Sequence, residues 1–126
     1  MHITHVAIWA RDLEALARFY CDTFAARAGE PYHNPAKQFS SRFIYFEQGA
    51  TLELMHRPGQ VEPTTASAYG LAHLAFALGS EAAVNTMTQR LKGMGLPHLD
   101  GPRHTGDGYY ESAFLDPEGN TIELTI

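Results

Sequence analysis

The stretch GNTIEL at residues 119–124 repeats an earlier stretch of the chain, GATLEL at residues 49–54. Four of the six positions are identical, and the exchange of Leu for Ile is conservative. A second pair of matching stretches precedes them in the same order and at nearly the same offset: THVAI at residues 4–8 and AHLAF at residues 72–76. Two ordered matches at nearly one spacing indicate that the chain contains two copies of one structural unit.

Both copies predict the same order of secondary structure. In the first copy, Asp12 is a helix N-cap candidate, and apolar residues then recur at helical spacing until Gly29. In the second copy, Ser80 takes the cap position and Gly93 starts the stop signal. A weak polar strand and a clearer strand follow in each copy, at residues 32–38, 42–48, 98–104 and 109–115. With a turn and the Glu-bearing strand added, each copy reads β-α-β-β-β.

Side-chain alternation predicts that each Glu-bearing strand has an apolar face and an opposite face that carries the ionisable side chain. Around Glu53 the two flanking leucines share one face while Glu53 takes the other, and the same pattern recurs around Glu123. His5 and His73 lie among small residues on the corresponding face of their own strands. Small side chains around a few ionisable groups indicate the floor of a cavity.

Two such units facing each other would bring two imidazoles and two carboxylates to one centre: His5, Glu53, His73 and Glu123. Buried carboxylates without partners are costly and repel each other, and a divalent cation removes both problems. This donor set suits a borderline ion, so we expect Zn²⁺ or Ni²⁺ first, with Co²⁺, Mn²⁺ and Fe²⁺ also compatible. Four protein ligands can leave one or two positions for water or substrate oxygens.

Composition excludes several other classes of function. The formal net charge is −5, and the nine Lys and Arg residues are scattered, which argues against a nucleic-acid partner. No apolar run approaches the roughly 20 residues that cross a bilayer, and no signal peptide is visible. The single cysteine, Cys21, lies in a helical pattern and reads as a half-buried apolar side chain. One unpaired cysteine fits a reducing compartment, so we expect a cytoplasmic protein.

These stretches resemble the vicinal oxygen chelate superfamily, which contains glyoxalase I, bleomycin resistance proteins and dioxygenases. The resemblance covers nearly the whole chain, and its most specific blocks are GLAHLAF at residues 70–76 and DPEGNTIEL at residues 116–124. It implies an α+β fold with a cupped mixed sheet and helices on its outer face. Residues 1–126 would form one domain, with modules at about 1–56 and 71–126 and a linker at 57–70. It also implies a homodimer, because a second subunit commonly completes the pocket in short chains of this kind.

The four ligand positions of glyoxalase I match His5, Glu53, His73 and Glu123. The carboxylate at Glu53 distinguishes the sequence from extradiol dioxygenases and fosfomycin-modifying transferases, which use two His and one Glu. The resemblance therefore implies a lyase or isomerase that transfers a proton next to a carbonyl of a small, oxygen-chelating substrate. Glu123 is the expected base and Glu53 the alternative one. A non-catalytic small-molecule or metal-binding protein and an Fe²⁺ ring-cleaving dioxygenase stay open as other functions.

The expected substrate contacts differ from those of glyoxalase I. Those enzymes place an Arg four residues after the first ligand and an Asn four residues after the second, and both contact glutathione. Here the two positions are occupied by Trp9 and Arg57. The full set of expected substrate-binding residues is Trp9, Arg57, Arg103, Tyr109, Tyr110 and Glu111.

Overall fold

A computed structural model of the protein describes residues 1–61, 70–106 and 108–126. The chain divides into two compact units, Met1–Thr64 and Thr65–Ile126, which correspond to the two sequence copies. Most of the predicted linker, residues 62–69, lies outside the described residues.

The first unit carries one mixed sheet. Its described elements are β1 (His5–Trp9), α1 (Leu13–Phe24), β2 (Arg27–Ala28), β3 (Tyr32–Asn34), a 3-10 helix (Pro35–Lys37), β4 (Phe39–Tyr45) and β5 (Thr51–His56). The strand order is β1-β5-β4-β2, and β3 also pairs with β4. Strands β1 and β5 run parallel, and the other pairs are antiparallel. The unit thus contains the predicted elements and one extra short strand, β2.

The second unit repeats this plan. Its described elements are β6 (Leu74–Ala77), α2 (Glu81–Gly93), β7 (His98–His104), β8 (Tyr110–Leu115) and β9 (Thr121–Thr125). The strand order is β6-β9-β8-β7, with β6 parallel to β9 and the other pairs antiparallel. The predicted α+β class with two β-α-β-β-β modules is confirmed.

Both helices begin at the predicted caps. The side chain of Asp12 accepts a hydrogen bond from the Ala15 amide at 2.9 Å, and the Ser80 hydroxyl accepts one from the Ala83 amide at 3.2 Å. The predicted end of α1 at Gly29 is wrong, because Ala25 already adopts a left-handed conformation (φ 51°) and closes the helix after Phe24. Within the described ranges, no helix combines the length and the apolar character needed to cross a bilayer.

The alternation predicted for the Glu-bearing strands decides which face of each sheet is core. Leu52 and Leu54 on β5, and Ile122 and Leu124 on β9, are buried. They lie beneath the helix of their own unit, since α1 packs on β4 and β5, and α2 on β8 and β9. Burying each such side chain stabilises the fold by about 1.5–3 kcal/mol. Glu53 and Glu123 lie on the opposite face of their sheets, which we call the Glu face.

Cys21 lies on α1 and is half-buried, as predicted. Burial raises the pKa of its thiol above the ordinary value, and a backbone hydrogen bond from Ala28 only partly opposes this effect. Because the thiolate is the reactive form, we expect iodoacetamide at pH 7 to alkylate Cys21 about tenfold more slowly in the folded protein than in urea. Mass spectrometry of timed samples measures both rates. Equal rates would contradict both the protection of the thiol by burial and its raised pKa.

Candidate functional site

A His–Glu pair lies across two parallel strands of the first unit. The register of β1 and β5 sets His5 opposite Thr51 and Ala7 opposite Glu53, so His5 and Glu53 are diagonal neighbours on the Glu face. His5 Nε2 lies 3.8 Å from Glu53 Oε2. The small side chain of Ala7 occupies the position directly opposite Glu53, which leaves room for the imidazole to reach the carboxylate.

The second unit repeats this arrangement. Strands β6 and β9 pair with Ala75 opposite Glu123, and His73 immediately precedes β6. His73 Nε2 lies 3.2 Å from Glu123 Oε2, again along a diagonal that passes a small Ala. Equivalent registers therefore place one imidazole and one carboxylate together in each unit.

The two members of each pair differ in how far they reach toward solvent. The side chains of Glu53 and Glu123 are 16% and 20% exposed, whereas those of His5 and His73 are 45% and 42% exposed. The carboxylates therefore lie low on the sheet and the imidazoles stand higher above it. In the first unit, Phe43 on β4 is the register partner of Glu53 on β5. Its ring packs edge-on against His5, with the ring centres 5.6 Å apart.

The donor atoms of each pair suit a shared metal ion. Two ligands with bonds of about 2.0–2.2 Å to one ion lie roughly 3.0–3.5 Å apart. The separation in the second unit falls within that range, and the separation in the first is slightly larger. Across residues 1–61, 70–106 and 108–126, no three His, Cys, Asp or Glu side chains form a group that could hold a metal. Each unit thus brings together two of the four predicted ligands.

Two predicted substrate-binding residues of the first unit are in contact. The guanidinium carbon of Arg57 lies 4.8 Å from the centre of the Trp9 ring, within the range of a cation–π interaction. Phe39 also contacts Trp9, with its ring perpendicular to the indole and the ring centres 6.4 Å apart. Trp9 shares the Glu face with His5 because both occupy alternate positions on β1.

Two more predicted residues, Arg103 and Glu111, share the Glu face of the second unit. They are opposite each other on β7 and β8, and Arg103 Nη2 lies 3.7 Å from Glu111 Oε1. The closer partner of Arg103 is Asp100, at 2.6 Å. Its hydrogen bond to Arg103 lowers the pKa of the Asp100 carboxyl, and Asp100 in turn raises the pKa of the guanidinium. Both groups therefore stay charged at neutral pH.

Sequence reasoning missed Asp100. The pairing of β7 with β8 shifts register between Asp100 and Arg103, and this irregularity brings the two side chains together on an exposed edge. Alternation along a strand contains no signal for such a shift. The sequence mark at this position is the Gly-Pro dipeptide at residues 101–102, since both residue types are typical of strand irregularities.

The two predicted tyrosines do not join this group. Tyr110 follows the parity of the buried Ser112 on β8, and its hydroxyl donates a 2.8 Å hydrogen bond to Asn85 on α2. Tyr110 therefore lies on the helix side of the sheet, away from Glu123. Tyr109 precedes β8 and is 52% exposed.

Residues 2–124 match the family model of the Glyoxalase/Bleomycin resistance protein/Dioxygenase superfamily. The chain belongs to this superfamily. Its predicted resemblance to the family is thereby confirmed over nearly all of its length. No curated protein matches the sequence.

Solved structures of superfamily members have the same fold. A glyoxylase/bleomycin resistance protein/dioxygenase domain from Frankia sp. EAN1pec is 19% identical with a TM-score of 0.85, over 100% of this chain and 97% of that one. A glyoxalase family protein from Enterococcus faecalis is 26% identical with a TM-score of 0.80, over 99% of this chain and 97% of that one. The trypanothione-dependent glyoxalase I of Leishmania major is 20% identical with a TM-score of 0.78, over 99% of this chain and 86% of that one.

Proposed function

We propose that this superfamily member is a metal-dependent lyase or isomerase of the glyoxalase I type. Its substrate would be a small α-oxo or hydroxy carbonyl compound that chelates through oxygen. The observation that supports this function best is the recurrence of one diagonal His–Glu pair in both units, at 3.8 Å and 3.2 Å. The proposal requires both pairs to serve one ion, within a chain or in a cytoplasmic homodimer.

We propose His5, Glu53, His73 and Glu123 as the ligands of a divalent ion, Zn²⁺ or Ni²⁺ before Co²⁺, Mn²⁺ or Fe²⁺. When bound, the ion would supply Lewis-acid polarisation of the substrate carbonyl. Through its Oε2 atom, Glu123 would accept the proton from the carbon next to the substrate carbonyl and would then return it to the product. Glu53 is the alternative base. His73, whose Nε2 lies 3.2 Å from the Glu123 carboxylate, would hold the ion beside this base.

Substrate contacts are proposed for the predicted residues that share the Glu face. These are Trp9 and Arg57 in the first unit, and Arg103 and Glu111 in the second. Tyr110 is left out, because its hydroxyl is bonded to α2 on the other side of the sheet.

The first test is the metal content of protein purified without chelators. We expect elemental analysis to find about one divalent ion per chain, as four protein ligands predict. Chelation should abolish turnover of the methylglyoxal–glutathione adduct or of simpler hydroxy carbonyl compounds, and added Ni²⁺ or Zn²⁺ should restore it. Exchange of the α-hydrogen with D₂O, followed by NMR, reports proton transfer even where no net product accumulates.

The outcomes separate the proposed function from the other two. Metal binding without α-hydrogen exchange on any substrate would indicate a binding protein. Oxygen uptake with a catechol and Fe²⁺ would indicate a ring-cleaving dioxygenase. Protein that neither contains nor binds a divalent ion would contradict the whole proposal.

A further inference from the structure

The guanidinium of Arg57 lies over an aromatic ring and not in an ion pair with a described residue. It stacks on Trp9 at 4.8 Å, and in the described ranges of the chain no carboxylate lies within ion-pair distance of it. The N–H groups of a guanidinium lie in its own plane, and the contact with a ring does not use them as hydrogen-bond donors to a carboxylate. That planar fork matches the two oxygens of a carboxylate.

The surface around Arg57 is aromatic and exposed. Trp9 and Tyr32 are 42% and 54% exposed, and both pack against Phe39, with ring centres 6.4 Å and 6.3 Å away. Exposed aromatic side chains that are in mutual contact are typical of a surface that binds an apolar group. The patch therefore combines an apolar platform with one positive charge at its edge.

This patch lies on the same two strands as the His–Glu pair of the first unit. On β1, Trp9 follows His5 by four residues, and its register partner on β5 is Met55, which follows Glu53 by two. At about 3.3 Å per residue, the patch begins roughly 13 Å from His5. Ala7 lies between them on the same face, so no bulky side chain of β1 stands in the way.

We infer that the substrate carries a carboxylate at the end remote from its reacting carbonyl, and that Arg57 binds this carboxylate while Trp9 and Phe39 pack against the apolar part. The inference rests on the proposed function for the position of the reacting carbonyl. A single guanidinium matches the single charge of a carboxylate, whereas a phosphate dianion generally needs several donors. Trp9 and Arg57 are thus the residues that determine specificity.

Trp9 is the only tryptophan of the chain, so its fluorescence reports this patch directly. The probe is 4-phenylbutanoate, titrated into chelator-treated protein and compared with the neutral 4-phenylbutanamide and with 4-phenylbutyl phosphate. We expect a saturable change in fluorescence and a carboxylate affinity at least about tenfold above that of the amide, since the hydrogen bonds are charge-assisted. Binding should weaken as salt is added.

Variants assign the effect to Arg57. Arg57→Gln should lose about tenfold or more in affinity, and Arg57→Lys should recover part of it, because Lys restores the charge but not the fork. Arg27→Gln is the matched control: Arg27 also stacks on a ring of this unit, Tyr45 at 4.5 Å, and its replacement should leave the affinity unchanged. Near-UV circular dichroism checks that each variant is folded.

Three results would overturn the inference: no saturable signal with the carboxylate, an equal affinity for the amide, or equal losses in Arg27→Gln and Arg57→Gln. Tighter binding of the phosphate would replace the carboxylate by a phosphate as the ligand group. All these titrations are made without metal. They can therefore succeed where the metal and proton-transfer experiments fail, and fail where those succeed.

Discussion

Replacing Glu123 by Gln is expected to lower the turnover number by about 10²- to 10⁴-fold, because an amide cannot accept the proton that a general base removes. The change keeps the size of the side chain and one oxygen. His73, 3.2 Å from the carboxylate, and the ligands of the first unit are unaltered. Appreciable metal binding should therefore survive. The measurements are α-hydrogen exchange or turnover on one hand and elemental analysis on the other.

Three further variants make this experiment specific. Glu47→Gln alters an exposed carboxylate in the turn before β5 and should leave turnover and metal content unchanged. Glu53→Gln tests the alternative base, and a larger loss there than in Glu123→Gln would exchange the two roles. His5→Ala combined with His73→Ala should empty the site of metal. Normal turnover in Glu123→Gln would show that this carboxylate is not the base.

Replacing Gly101 by Ala is expected to cost about 3 kcal/mol or more in the free energy of unfolding. A Cβ at this position would overlap the Glu111 carbonyl oxygen and lie 2.9 Å from the Ser112 Cα, both of them backbone atoms of β8. Backbone cannot rotate away as the end of a flexible side chain can, so β7 and β8 would have to separate. The backbone of Gly101, with φ +80°, is also in a region that side chains disfavour.

Gly95→Ala isolates the contribution of the steric clash. Gly95 has the same φ of +80°, but a Cβ there would meet nothing within 4 Å. We therefore expect only the conformational cost, about 1 kcal/mol. Urea denaturation of both variants measures the difference. Equal destabilisation would mean that the β7–β8 pairing accommodates the extra methyl group.

The fold and the two half-sites could be predicted because they depend on local patterns. Alternation on β5 and β9 is unambiguous, since the branched side chains that flank Glu53 and Glu123 must be buried under a helix. The repeat then transfers each assignment from one unit to the other. Asp12 and Ser80 could be assigned as caps for the same reason, because a cap is read from residues within one turn.

Features that depend on register or on irregular backbone could not be predicted. The contact of Phe43 with His5 requires the pairing of β4 with β5, which parity alone does not fix. The pair formed by Asp100 and Arg103 requires the register shift in β7. Tyr110 is a different case: it is next to Glu111 on β8, so alternation along the predicted strand already separates the two residues onto opposite faces. The end of α1 depends on a left-handed Ala25, and Ala gives no such signal in a sequence.

The parallel pairing of β1 with β5 has a consequence for protein synthesis. Among the described residues of the first unit, β1 pairs only with β5, although α1, β2, β3 and β4 all come between them in the chain. A nascent chain that has not yet emerged past residue 50 therefore contains His5 without Glu53, and a β1 whose partner strand β5 has not yet been exposed. Because long-range pairing is completed last, the half-site is among the final features of this unit to form on the ribosome.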